Sequence, residues 1–183
     1  GESGVCSARV DADSFLVTPE GMDNALLEEN DLVLVRNFAA EAGKQPAAES
    51  ALHAAIYKQH ASIHAVFSAA PANVAAFASA KERFETSTVP ESYYMLRSVP
   101  TRPMEDFLGD PGANAALFSE KTPVVLFENC RIVTTGASLF TALDRLEVAE
   151  ATAASILVAR DAGKVIFLSE GEIQALKMTF HLE

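Results

Sequence analysis

With 183 residues, 49 % of them apolar and 21 % charged, the chain can close one sizeable core, which excludes a disordered polypeptide. A formal net charge of −11, from 14 Lys and Arg against 25 Asp and Glu, argues against nucleic acid or an anionic membrane surface as partner. The apolar runs are too short to span a bilayer and no basic start leads into an apolar signal region, so a cytoplasmic location is expected. Two cysteines, Cys6 and Cys130, stand too far apart for a zinc motif and read as reduced thiols, although the spacing leaves open that they meet in space.

In chain order, Val5 to Val10 and Ser14 to Thr18 read as a hairpin turning at Asp11-Ala-Asp13. Thr18-Pro-Glu-Gly21 is a turn, and Leu32-Val-Leu-Val35 a strand buried on both sides. Residues 36 to 48 read as a loop. A helix is expected from about Ala47 to His60, with Leu52 and Ile56 on one face and His53 and Tyr57 on a neighbouring stripe. His64-Ala-Val-Phe67 ends a strand and Pro71 opens another helix. The turn between them, Phe67-Ser-Ala-Ala70, offers no carboxylate, histidine or glycine-rich phosphate loop, although such turns are where α/β enzymes place reactive groups.

Thr86 to Pro103, broken by three prolines, reads as irregular edge strands, with Glu91-Ser-Tyr-Tyr-Met95 as a partly buried strand. Val124 to Phe127 and Arg131 to Thr134 are strands joined by Glu128-Asn-Cys130, where turn chemistry accounts for Glu128 and Asn129. Ser138 caps a long amphipathic helix reaching about Arg160, with Glu147 and Glu150 on its solvated stripe. Val165 to Leu168 is a short apolar segment, and Ser169 with Glu172 forms the capping box of a last helix. The interleaving predicts a single domain over residues 1–183, a three-layer α/β/α sandwich around a mixed, largely antiparallel sheet.

Six pieces in one order resemble the class II aldolase/adducin family: Gly4-Val-Cys-Ser7, Leu16-Val-Thr-Pro-Glu-Gly21, Pro46-Ala-Ala-Glu-Ser-Ala-Leu-His53 with Tyr57 beyond, Ala65-Val-Phe-Ser-Ala69, Leu126-Phe-Glu-Asn-Cys-Arg-Ile-Val-Thr-Thr-Gly136, and the helix holding Ala142, Glu147 and Glu150. Members resembling fuculose- and rhamnulose-phosphate aldolases hold a zinc ion with a His-x-His on one strand and a third histidine from an Asn-His-Gly turn. They usually carry a helical segment ahead of the first motif, and none is expected here. The resemblance puts Phe67, Ala69 and Cys130 at the three ligand positions, with Arg131 where glycine would follow. Phenylalanine and alanine have no lone pair for a metal, so neither a metal site nor any cofactor is expected.

The resemblance also implies a phosphate pocket, here with Val5, Glu20, Ala47 and Ala48 in place of neutral donors. A carboxylate beside a phosphate dianion repels it. Glu49 matches the family's acid/base residue, but without metal or phosphate donors a first-turn carboxylate complementing the helix dipole is the favoured account. Gly4, Ser7, Glu20, Gly21 and Arg131 are the candidate ligand-binding residues. His60 and His64, with Glu49 and Cys130, make a weak replacement metal set, because nothing gathers them about one point. The expectation is a catalytically inactive, homo-oligomerising or small-molecule-binding domain, a tetramer by resemblance. Two alternatives stand beside it. One is an active lyase using Glu49 as acid/base with Arg131 as oxyanion partner. The other is a sensor whose vacated pocket, lined by Phe67, Ala69, Ala47 and Ala48, takes a less polar ligand.

Overall fold

In this computed structural model residues 4–80 and 82–182 are described. Strand β1 (Val5–Arg9) turns through Asp11–Asp13 into β2 (Ser14–Val17), followed by β3 (Val33–Arg36) and a two-residue β4 (Ala39–Ala40). Helix α1 (Ser50–Gln59), strand β5 (Ala65–Ala69) and helix α2 (Ala72–Ala80) come next. Three short helices follow, α3 (Pro90–Leu96), α4 (Met104–Leu108) and α5 (Pro111–Ala115), with strand β6 (Thr101–Arg102) between α3 and α4. Strands β7 (Val124–Phe127) and β8 (Ile132–Gly136) lead into the long α6 (Leu139–Ala162) and the last helix α7 (Glu170–Thr179).

All eight strands join one sheet in the order β4-β3-β2-β1-β5-β8-β7-β6, antiparallel except where β6 meets β7. Because side chains alternate across a strand, the central strands feed two separate cores. On one face Val5, Val66, Val125, Phe127 and Val133 pack with Leu52 and Ile56 of α1. On the other, Val124, Leu126 and Ile132 meet Val74 and Phe77 of α2 and Ala149, Ala153 and Ile156 of α6. The small residues at fourfold spacing on α6 bring that helix close to the sheet. Gly136 is needed there, since a Cβ on it would lie 2.5 Å from the Ala142 backbone nitrogen. This is the expected three-layer sandwich on a mixed, largely antiparallel sheet.

Three readings change. Ala39–Ala40, inside the expected 36–48 loop, pair with β3 as β4. The 91–95 stretch is helical rather than a strand: Pro90 sits in the first turn, where its missing N–H costs nothing, and Ser92 and Leu96 turn inward. Glu150 is not on a solvated stripe. Its carboxylate accepts from the Asn73 backbone (3.0 and 3.1 Å), the Asn73 side chain (2.7 Å) and the Val74 N–H (3.0 Å), satisfying the open end of α2. Glu147 is exposed, as expected. No helix among the described residues is long and apolar enough to cross a membrane.

Candidate functional site

A cleft of about 550 Å³ opens at the N-terminal end of α1. It lies between the start of β1, the turn after Thr18, the β7–β8 turn and the α4–α5 segment. Gly4, Glu20, Gly21, Glu49 and Arg131 all border it, so five of the six sequence candidates converge from distant parts of the chain. Ser7 does not. It is 1 % exposed, and its hydroxyl lies 2.8 Å from His53 Nδ1 and 2.7 Å from the Tyr57 hydroxyl. Its placement among ligand-binding residues is corrected by the β1 register, which turns Ser7 toward α1 and into the core.

Glu49 and Arg131 form an ion pair at the cleft wall, with side chains 12 % and 23 % exposed. Glu49 stands at the N-cap of α1 but makes no capping bond; its carboxylate goes to the guanidinium instead. Arg131 also lies over the Phe107 ring at 5.5 Å, a contact that lets a charge rest on an apolar wall. Its Nε is buried without a hydrogen-bond partner. Glu20 is likewise engaged, accepting from the Ala48 N–H at 2.8 Å. That carboxylate therefore closes one of the backbone donors that an anionic ligand would need at this helix end.

Beneath the cleft runs a buried polar chain, Tyr57–Ser7–His53–Ser68, with His53 Nε2 2.8 Å from the Ser68 hydroxyl. A neutral imidazole carries one donor and one acceptor, so a one-way run of hydrogen bonds satisfies every member. Burial, with the Arg131 charge adding to it, drives the His53 pKa down to about 3. Burial also raises the Tyr57 hydroxyl. Both groups are held neutral. His53 and Tyr57 thus pack against the sheet as expected, through hydrogen bonds as well as apolar contact.

The β5 register decides which strand residues face the cleft side. Val66 joins the α1 core and Ser68 reaches His53, so Val66 and Ser68 belong to that face. Phe67 and Ala69 belong to the other: they pair with Thr134 and Ile132, which bond to α6 and pack with its core. Neither Phe67 nor Ala69 lines the cleft beside Glu49. Of Phe67, Ala69, Ala47 and Ala48, the four residues expected to line a vacated pocket, Ala47 and Ala48 line this cleft.

Cys130 does reach the cleft, beside Arg131. It and Cys6 are free thiols. His60 donates from Nε2 to the Ala115 carbonyl (2.9 Å) beyond the far end of α1, and His64 is exposed, so neither approaches Glu49 and Cys130. Among the described residues no three His, Cys, Asp or Glu side chains gather as a metal set. Zinc does not fit this donor arrangement: the cleft lining holds Cys130 but no histidine, and Glu49 is tied to a guanidinium.

Sequence reasoning passed over Phe107, Met22 and Asn24, which complete the walls. Asn24 donates from Nδ2 to the Gly4 carbonyl (2.6 Å) and so holds the turn against β1. The α4–α5 segment was readable from Asp110-Pro111, where the aspartate caps the Gly112 N–H at 2.7 Å and proline opens the helix.

An eight-stranded sandwich with its cleft at the head of α1 defines the class: an α/β domain of aldolase architecture. The family model described as "Class II Aldolase and Adducin N-terminal domain" matches residues 1–157, and the chain belongs to that family. Among solved structures it is similar to YgbL from Klebsiella pneumoniae (TM-score 0.83, 24 % identity, 96 % of this chain and 87 % of that one). YgbL from Escherichia coli gives 0.81 and 25 % over 97 % and 88 %. An L-fuculose 1-phosphate aldolase gives 0.79 and 22 % over 100 % and 87 %. No curated protein matches.

Proposed function

We propose that this single class II aldolase-type domain no longer runs metal-dependent aldol cleavage and serves as a ligand-binding, homo-oligomerising module. The observation that carries the reading is the Glu49–Arg131 ion pair. The carboxylate matching the family's acid/base is paired with an arginine, where the family's turn has glycine, and Phe67 and Ala69 stand where the resemblance puts two zinc histidines. Glu20 supports the reading from the opposite wall, because its charge opposes a phosphate and its oxygen already holds the Ala48 N–H. Two well-filled cores speak for a chain that still has to fold. Adducin supports assembly as a role for this scaffold, and a tetramer is the state the resemblance implies.

One observation favours a second reading, an active lyase on a small hydroxy-carbonyl compound. A guanidinium at the cleft wall suits a developing enolate oxygen. In that reading Glu49 takes the hydroxyl proton as the carbon–carbon bond breaks, releasing an aldehyde, and Arg131 holds the enolate. Retro-aldol assay of the full chain on L-fuculose 1-phosphate and on unphosphorylated hydroxy-ketones, with zinc added, separates the two. No turnover is expected. Turnover that vanishes in Glu49→Gln overturns the proposal in favour of the lyase.

A further inference from the structure

Helix α6 lays one side on the sheet and leaves another open. Ala149, Ala153 and Ile156 face the sheet core. One flank is covered by α3, where the Ser92 and Thr152 hydroxyls meet at 2.6 Å. The other is covered by α2, which runs beside the C-terminal half of α6: Glu150 caps its head, and Arg160 lies over the Phe77 ring at 5.3 Å. The open side carries Phe140, Leu143, Glu147, Ala151, Ser155 and Val158, with Phe140 77 % and Val158 68 % exposed.

A surface helix ordinarily turns charges outward. Here, among the described residues from Leu139 to Val158, Glu147 is the one exposed charged side chain. The neighbouring α2 exposes Ala72, Ala76, Ser79 and Ala80 and contains no charged residue. The two hydroxyls are turned back on their own helices, Ser155 donating to the Ala151 carbonyl (2.8 Å) and Ser79 to that of Ala75 (2.9 Å). Covering them therefore strands no polar group. Sparse charge around a few large apolar side chains is the composition of an interface centre rather than of a solvated wall.

Charge also selects the occupant. Two copies of a chain of net charge −11 repel, so they meet where carboxylates are sparse, whereas a basic partner is drawn to the acidic surface elsewhere. We propose that this α2–α6 face pairs with the same face of a second copy, α6 running antiparallel to its mate across a twofold axis at Ala151. Resting on the oligomerising reading above, this pairing supplies its interface. Ala151 and Ser155, small and about one turn apart, let the two helices approach closely. Phe140 and Leu143 of each copy then cover Val158 and the α2 alanines of the other. Glu147 lies about 6 Å along the helix from the axis, which sets the two carboxylates about 12 Å apart, beyond the screening length at physiological salt. The face is about 27 Å long and up to two helices wide. Pairing buries on the order of 1,000 Å² in total, enough for a specific contact of modest strength.

Sedimentation of the full chain tests this, with Ala151→Arg, Ala151→Cys and, as a control just past β4, Ala42→Cys. Wild type is expected to be oligomeric at micromolar concentration. Ala151→Arg raises the dissociation constant at least about tenfold, because it buries an unpaired charge at the axis. Ala151 is exposed, so the variant keeps the helix content and urea midpoint of the dilute chain, and the loss is not one of folding. Under mild oxidation Ala151→Cys yields a covalent dimer and the exposed Ala42→Cys does not. An oligomer whose affinity is unchanged in Ala151→Arg, or an Ala151→Cys chain no more readily cross-linked than Ala42→Cys, overturns this interface while leaving the assembly role in place. A monomeric wild type removes both and leaves the face to a partner other than this chain.

Discussion

Glu49 and Arg131 carry opposite charges into positions that water reaches poorly, and each depends on the other. Removing one partner strands the other charge, whereas replacing both with neutral groups of similar shape removes the problem. Arg131→Met is therefore expected to destabilise by about 2 kcal/mol, and the double variant Glu49→Gln with Arg131→Met to recover most of it. Urea unfolding of the three variants measures this; a double variant as weak as the single one would show that the pair is not coupled. The second residue-scale consequence concerns His53. Its folded pKa, about 3, lies below the ordinary 6.5, so the unfolded chain takes up a proton that the native chain refuses. Stability is then complete above pH 6.5 and falls as pH drops toward 3. The expected loss from His53 between pH 7 and 5 is about 2 kcal/mol. Comparing wild type with His53→Asn at both values isolates that share from carboxylate effects, and equal slopes would refute it.

Elements were legible where local signals agree with tertiary demand. The hairpin at Asp11–Asp13, the Ser138 cap and the Ser169–Glu172 capping box all appear where local chemistry puts them. The 90–96 helix was masked by its aromatic and proline content, which suits an edge strand in isolation; only burial of Ser92 and Leu96 against neighbours makes it helical. Glu150 was misread because its partners, Asn73 and Val74, lie on another helix, and no window of sequence contains both. Glu150→Ala is expected to cost about 1–2 kcal/mol by opening the head of α2. Glu147→Ala, four-fifths of a turn away on the same helix and exposed, should cost less than about 0.5 kcal/mol. Equal effects in guanidinium unfolding would contradict the cap. The candidate site was half legible: the family resemblance pointed to Glu49, Glu20 and Arg131, but the face of β5 follows only from its hydrogen-bonded register.

At the scale of the whole molecule, one scaffold presents two chemically different cavities at the two ends of α1. The cleft at its head carries the Glu49–Arg131 ion pair on its wall. The cavity beyond its tail is bordered by His60, Tyr94 and the β8–α6 junction. A module that binds and assembles needs the scaffold intact, and the sheet with its two cores meets that need. Light scattering of the purified chain is expected to give a homo-oligomer, and a monomer across the micromolar range would remove the assembly role. The most direct measurement is zinc titration of the purified chain by calorimetry, joined to elemental analysis of the protein as isolated. The expected result is no stoichiometric zinc and no saturable heat that depends on Glu49 or Cys130. One tightly held zinc per chain, lost in Cys130→Ala or Glu49→Gln, would contradict the account at its root.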